Sequence, residues 1–329
     1  MNHHGNNSNS RNKSNHNSSR NNNSREENIA KLVERIKETR AKRVLVQLPD
    51  GLKGISTEIL DALRDSGIDA MLSSDACYGA CDLRDLEAKQ AGCDMLVNVG
   101  HNKFYKQLNT AVPVIYYEWP LSLDLENIEK ILRRDIGELK GKKIGLVTTI
   151  QHLDELSGVS RIIEKLGRKA VEGGQILGCW NANAAKIESK VDCFLVIASG
   201  YFHAGAIRTK KPVYLLNLEL GEVEDFTEYS TKMLKRRFAK IAKAKDAKSF
   251  GLLVSTKPGQ FGMEQALRAK KMLESKNRKA YIIVADLITK ESLEGIKVEA
   301  FINTACPRII EDDLGKPVVD VADISLLFE

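Results

Sequence analysis

Three times along this chain a continuous apolar run gives way to a polar or glycine-bearing loop and then to helical periodicity. The runs Val44-Leu45-Val46-Gln47-Leu48, Ile144-Gly145-Leu146-Val147-Thr148 and Phe250-Gly251-Leu252-Leu253-Val254 lack the alternation of a half-exposed strand. They predict strands covered on both faces. Helices are predicted next, over Ile55–Asp65, Leu153–Leu166 and Met263–Glu274. In the last of these, Met263, Ala266, Leu267, Ala269 and Met272 approximate one stripe. Second strands follow near Ala70–Leu72, Gln175–Leu177 and Tyr281–Val284, and third strands at Met95–Val99, Phe194–Ala198 and Ala300–Asn303. Each round closes on a proline that opens a short apolar strand: Pro113-Val114-Ile115-Tyr116, Pro212-Val213-Tyr214-Leu215 and Pro317-Val318-Val319. Proline in that position removes no ladder hydrogen bond.

Strands alternating with helices at this spacing define an α/β protein with parallel, helix-covered sheets. One doubly wound sheet of about nine to twelve strands is the competing architecture. Restarts roughly 100 residues apart favour three repeated small α/β domains instead. The expected division is a disordered polar tail over 1–27, then domains over 28–120, 121–225 and 226–329, the second entered by a linker helix and the third by a basic one. In the basic helix Leu234, Phe238 and Ile241 fall on one face, and the lysines and arginines between Lys232 and Lys248 form a solvated face. Open α/β sheets bind ligands at the carboxyl ends of their strands. A pseudo-threefold arrangement of such domains would gather loops from distant parts of the sequence around one central site.

Composition narrows the partners. The formal charge is +6, but residues 1–25 hold Arg11, Lys13, Arg20 and Arg25 and no acid, and subtracting those four leaves +2. A broad phosphate-binding surface is not implied, and no direct nucleic-acid binding is expected. No uncharged apolar run approaches the ~18 residues that a membrane span needs, and the N-terminus lacks a hydrophobic signal core. His3, His4 and His16 are scattered through the Asn/Ser-rich tail rather than set at ligand spacing. With no sign of secretion, the six unevenly spaced cysteines point to a reducing cytoplasm.

Three of those cysteines, Cys81, Cys179 and Cys306, fall one per repeat in loops beyond predicted strands. Thiolates so far apart in sequence suit one shared iron–sulfur cluster better than disulfides. Three of them hold three corners of the cube and leave one iron open to substrate. Cys93 and Cys193, inside strand-like segments, read as small core hydrophobes. Cys77 forms C-x3-C with Cys81, but Arg84 stands where the usual C-x3-C-x2-C motif has its third cysteine. The ligands are not at equivalent places, since Cys81 and Cys179 follow second strands and Cys306 a third.

Several stretches together carry a family resemblance: Leu48-Pro49-Asp50-Gly51-Leu52, Cys77-Tyr78-Gly79-Ala80-Cys81-Asp82, Val99-Gly100-His101, Ser255-Thr256-Lys257-Pro258-Gly259-Gln260 and Thr304-Ala305-Cys306-Pro307-Arg308. From about Arg43 onward the chain resembles the archaeal-type diphthamide synthesis enzymes, the 2-(3-amino-3-carboxypropyl)histidine synthases. The resemblance implies a cytoplasmic homodimeric transferase with a 4Fe-4S cluster on Cys81, Cys179 and Cys306. It implies that S-adenosylmethionine docks at the open iron and is cut at its Cγ–S bond. An external one-electron reductant drives the step, and the 3-amino-3-carboxypropyl radical is transferred to C2 of a histidine of translation elongation factor 2. No catalytic residue beyond the cluster ligands is expected. Quinolinate synthases are similar in outline, with a three-cysteine 4Fe-4S cluster acting as Lewis acid, and give the alternative function.

Loop residues offer contacts for S-adenosylmethionine. Asp50 and Gly51 precede a helix N-terminus that can receive an anion, or they form a plain strand-to-helix turn. Gly100 and His101, and His203 beyond Gly200, end third strands and either face the site or simply meet water. Lys257-Pro258-Gly259-Gln260 is either a substrate clamp in which Gln260 hydrogen-bonds, or a Pro-Gly turn. Arg308 can pair with a carboxylate.

Overall fold

The structure is a computed structural model and describes residues 24–103 and 108–329. The tail expected over 1–27 lies outside the described residues as far as position 23. Residues 24–27 instead open a helix, α1 (24–37). The chain divides into two compact units, one ending at Ser122 and one spanning Leu123–Glu329.

In the first unit β1 (Arg43–Gln47), β2 (Asp69–Ser73), β3 (Met95–Val99) and β4 (Val114–Tyr117) form a wholly parallel sheet in the order β2-β1-β3-β4. A helix, α2 (Ser56–Asp65), crosses from β1 to β2, and α3 (Asp85–Gln90) leads into β3. The apolar faces of α1 and α2 bury Leu32, Ile36, Ile59 and Leu63 against Val44, Val46 and Val97. Each fully buried aliphatic side chain of this kind contributes about 1.5–3 kcal/mol.

The second unit holds two sheets. The first contains β5 (Lys143–Thr148), β6 (Lys169–Gln175), β7 (Cys193–Ala198), β8 (Val213–Asn217) and β9 (Glu222–Asp225), ordered β6-β5-β7-β8-β9. The other contains β10 (Ser249–Ser255), β11 (Lys279–Ala285), β12 (Ala300–Asn303) and β13 (Val318–Asp320), ordered β11-β10-β12-β13. Around them lie α4 (Leu125–Asp135), α5 (Leu156–Lys165), α6 (Ala182–Ile187), α7 (Thr227–Ala244) and α8 (Met263–Ser275). Both linker helices are present. α4 packs Ile128, Ile131 and Leu132 over the five-stranded sheet, and α7 packs Ile241 and Ala244 against Phe250 of the last.

Small devices recur in all three sheets. The closing prolines keep their carbonyls in the ladder: Leu96, Phe194 and Phe301 donate their N–H groups to Pro113, Pro212 and Pro317 at 2.9, 2.9 and 2.8 Å. An acid before the third strand caps the start of the first. Asp94 accepts from Lys42 and Arg43, Asp192 from Lys142 and Lys143, and Glu299 from Lys248. Each crossover helix ends on a left-handed residue, Gly67, Gly167 or Asn277, with φ of 77°, 78° and 59°. The next N–H then reaches back five residues, from Ile68 to Leu63, Arg168 to Ile163 and Arg278 to Leu273, as helix-terminating turns do.

The structure corrects several expectations. The second strand of the middle repeat is Lys169–Gln175 rather than Gln175–Leu177. Its sequence, Lys-Ala-Val-Glu-Gly-Gly-Gln, is poor in apolar residues because it is an edge strand with a register shift opposite Leu146/Val147. The parallel sheets have one exception, the antiparallel β9. Of the predicted stripe on α8, Ala266 and Ala269 are buried, whereas Leu267 and Met272 are exposed and the unpredicted Leu273 is buried instead. On α7 only Ile241 of the predicted apolar face is buried, and Leu234 and Phe238 are each 54% exposed. Among the described residues no helix is long and apolar enough to cross a membrane.

Candidate metal centre

The predicted site residues of the first unit lie in loops at the carboxyl ends of β1, β2 and β3. Asp50 opens a 3-10 turn, Asp50–Ile55, and pairs with Lys53 at 2.7 Å while remaining exposed. Gly51 has nothing within 4 Å of where a Cβ would be, so the start of this turn is open to a ligand. Gly100 has φ of 86°, and a Cβ there would stand 3.0 Å from Pro49 Cγ. The loops carrying Asp50-Gly51 and Gly100-His101 therefore touch. His101 Nδ1 is 2.8 Å from Asn98 Oδ1 and 3.9 Å from Cys77 Sγ, and Asn98 Nδ2 donates to the same sulfur at 3.6 Å.

A buried amide fixes the Cys81 loop. Gln47, wholly buried at the end of β1, donates from Nε2 to the Asp82 carbonyl and accepts from the Arg84 N–H at 3.2 Å. Arg84, which occupies the missing-cysteine position, lies within salt-bridge range of Asp75 and Glu87 at 3.5 and 3.4 Å.

Cys179 occupies the tip of a tight turn in the second unit. Leu177 and Trp180 exchange backbone hydrogen bonds of 2.8 and 3.1 Å, leaving Gly178-Cys179 as the central pair. The corrected β6 thus ends four residues before the cysteine. Cys306 caps the 3-10 turn Pro307–Glu311, and its carbonyl accepts from the Asn303 side chain at 3.0 Å and the Ile309 N–H at 3.0 Å. Gly262, at the start of α8, lies so close to Thr304 that a Cβ would stand 3.0 Å from its Cβ. The loop bearing Lys257 and Gln260 is thereby brought beside the Cys306 loop. Gln260 closes a turn on the Lys257 carbonyl at 2.9 Å, and Lys257, 4% exposed, reaches Asp286 at 3.4 Å. Arg308 is half-exposed and 3.5 Å from Asp312.

His203 differs from the other loop residues. Its Nδ1 is buried with no hydrogen-bond partner among the described residues. Burial holds the imidazole pKa down to about 4. It therefore stays neutral at physiological pH and can donate or accept a hydrogen bond without carrying charge.

The six cysteines sort by exposure. Cys77, Cys93 and Cys193 are buried at 5%, 6% and 0% exposure, whereas Cys81, Cys179 and Cys306 are all partly exposed; no two form a disulfide. Burial pushes the Cys77 thiol up to about 12, helped by the Asp82 carboxylate, and the Cys193 thiol up to about 11. Burial also raises Cys306, but the Arg308 N–H and guanidinium oppose it. Cysteines only partly buried, in loops bordered by Gly178, Gly79 and Pro307, have the donor chemistry that an iron–sulfur cluster needs. Among the described residues no three His, Cys, Asp or Glu side chains form a ready-made ion site.

Sequence reasoning missed Gln47, Asn98 and Asn303, the buried amides that fasten these loops. The available signal was a lone amide inside each of three apolar strands, Val-Leu-Val-Gln-Leu, Leu-Val-Asn-Val and Phe-Ile-Asn-Thr.

Fold and site together define a class: an α/β protein that carries partly exposed cysteines in strand-end loops of its several sheets. The family described as "Putative diphthamide synthesis protein" matches residues 48–329. The 2-(3-amino-3-carboxypropyl)histidine synthase of Pyrococcus horikoshii is 34% identical over 91% of this chain and 89% of its own. Subunit 1 of the synthase of Neurospora crassa is 28% identical over 86% of this chain, which covers 65% of that longer protein. Crystal structures of Dph2 from Pyrococcus horikoshii superpose over 91% of this chain and 89% of theirs, with a TM-score of 0.81 at 32% identity. A second crystal structure of that protein, with a 4Fe-4S cluster, gives a TM-score of 0.79 at 33% identity. The chain belongs to the diphthamide synthesis protein family.

Proposed function

We propose that this chain is a 2-(3-amino-3-carboxypropyl)histidine synthase catalysing a step of diphthamide biosynthesis on a histidine of translation elongation factor 2. Its cluster ligands are Cys81, Cys179 and Cys306. The observation that carries this reading is the sorting of the cysteines: the three in strand-end loops are partly exposed residues, and the other three are buried. The Pyrococcus relative, of nearly the same length, has been crystallised with a 4Fe-4S cluster.

When bound, the cluster would supply an electron to split S-adenosylmethionine at Cγ–S into methylthioadenosine and a 3-amino-3-carboxypropyl radical; this adds to imidazole C2, and the adduct gives up the C2 proton and one electron to restore the aromatic ring. The protein's own task is to hold the sulfonium so that one of three C–S bonds faces the open iron, and to keep water out. Arg308, beside Cys306, receives the methionyl carboxylate. Gln260 binds from the adjoining turn, and neutral His203 adds an uncharged hydrogen bond. Asp50 and Gly51, with Gly100 and His101, present an open helix start and a polar rim to the ribose and adenine. The reading includes three small α/β domains, over 28–120, 121–225 and 226–329, in pseudo-threefold arrangement about the cluster. It also includes a homodimer, an external one-electron reductant and a cytoplasmic setting.

Anaerobic reconstitution should yield a brown protein with about four irons and four sulfides per chain. With dithionite it should form methylthioadenosine from S-adenosylmethionine. Cys179→Ala or Cys306→Ala should abolish colour and turnover, and Cys193→Ala should keep both. Wild-type absorbance in Cys179→Ala, or 5′-deoxyadenosine as the product, would overturn the assignment.

A further inference from the structure

Three loops of the second unit meet on one ring. Phe202, in the loop after β7, lies against Gly178, where a Cβ would overlap the phenyl group. The Arg308 guanidinium carbon stands 5.9 Å from the same ring's centroid. His203 meets it edge-on at 5.0 Å. Gly178 immediately precedes Cys179, and Arg308 follows Cys306 by two residues.

Two features show that the ring does more than fill space. Phe202 is 41% exposed, so burial alone gains little from a residue of this size. Gly178 is not among the residues with positive φ, so its backbone could carry any side chain. What position 178 requires is the absence of a Cβ, and the ring occupies that space. A phenyl group is rigid, has two rotatable bonds and accepts a guanidinium on its face. It sets a spacing that a flexible aliphatic chain would not.

We propose that Phe202 is a positioning residue: it wedges the Cys179 turn against the Cys306 loop and sets the separation of the two thiols this unit contributes. The proposal rests on reading those cysteines as ligands, but the wedge itself can be tested on iron-free protein.

Hydrogen exchange on the iron-free chain is the primary measurement. Phe202→Ala should speed exchange in both 176–182 and 303–309 by about three- to tenfold, because the contact they share is lost. The amides of β10 should keep their protection, which shows that the variant is folded. Phe202→Tyr should loosen both segments as well, because its hydroxyl extends from Cζ, the ring atom nearest Gly178, into the space the missing Cβ leaves. Gly178→Ala should loosen the same segments in wild type yet add little in the Phe202→Ala background, since the clash needs the ring. After reconstitution, Phe202→Ala should lose iron to a chelator faster than wild type. Exchange changes confined to 200–205, or an equal effect of Gly178→Ala in both backgrounds, would overturn the wedge. A wild-type chain that takes up no iron while both exchange effects hold would instead defeat the cluster reading and leave the wedge standing.

Discussion

Replacing Gln47 by leucine tests how the first unit holds Cys81. The side chain is wholly buried and makes two hydrogen bonds to loop backbone, donating to the Asp82 carbonyl and accepting from the Arg84 N–H. Leucine has nearly the same volume, so the cavity term is small and the loss is polar. Two buried backbone groups lose that partner at about 1–3 kcal/mol each, offset in part because the amide itself no longer needs desolvating. A net loss of about 2–3 kcal/mol follows. With a urea m-value of about 2–3 kcal/mol/M, the midpoint should fall by roughly 1 M. The assay is urea unfolding of iron-free, reduced protein followed by circular dichroism, beside the rate at which Cys81 is alkylated in the folded state. That rate should rise, because Asp82 and Arg84 follow the thiol directly. Gln47→Glu is the control: its carboxylate can accept from Arg84 but cannot donate to Asp82, so it should do more harm at pH 8 than at pH 5. An unchanged midpoint together with an unchanged alkylation rate for Gln47→Leu would refute the reasoning.

Cys81→Ala should lose the brown absorbance on reconstitution and Cys77→Ala should keep it, because Cys77 is buried with its thiol pushed up to about 12; the reverse pattern would transfer the ligand assignment. His203 is neutral in the fold to about pH 4, whereas in the unfolded chain it takes a proton below its ordinary 6.5. Its contribution to stability is therefore present above pH 6.5 and is lost as pH falls through 4. Thermal melts should show a shallower decline over that window for His203→Phe than for wild type, and parallel declines would contradict the burial argument. Leu132→Ala, at a fully buried position of α4, should cost about 2–5 kcal/mol in urea unfolding. Arg308→Ala should raise the KM for S-adenosylmethionine more than it lowers kcat; a pure kcat effect would count against a carboxylate contact.

The strand rhythm was legible because central parallel strands are apolar on both faces. β3 and β12 match their predicted bounds, and β1, β5, β7 and β10 fall within a residue or so of them. The edge strand β6 was misplaced because an edge tolerates Glu172, Gly173 and Gly174, which carry no strand signal. Leu234, Phe238, Leu267 and Met272 mimic core stripes and are exposed, since periodicity shows which residues share a helix face but not how wide a strip the neighbouring sheet covers. Cys93 and Cys193 are buried as the apolar residues beside them suggest, but Cys77 is buried in the same loop that leaves Cys81 partly exposed, a difference no local pattern marks.

By itself the sequence determined the alternation of strands and helices, the prolines that open each last strand, and which cysteines lie in loops. These follow from local periodicity and from the covalent limits of proline and glycine. Tertiary structure decided that Gln47 turns inward to hold the Cys81 loop, that Gly178 makes room for Phe202, and that the buried Nδ1 of His203 has no hydrogen-bond partner among the described residues. Each of these depends on an atom brought close by chain distant in sequence, or on solvent kept away by it, and no local pattern encodes such proximity.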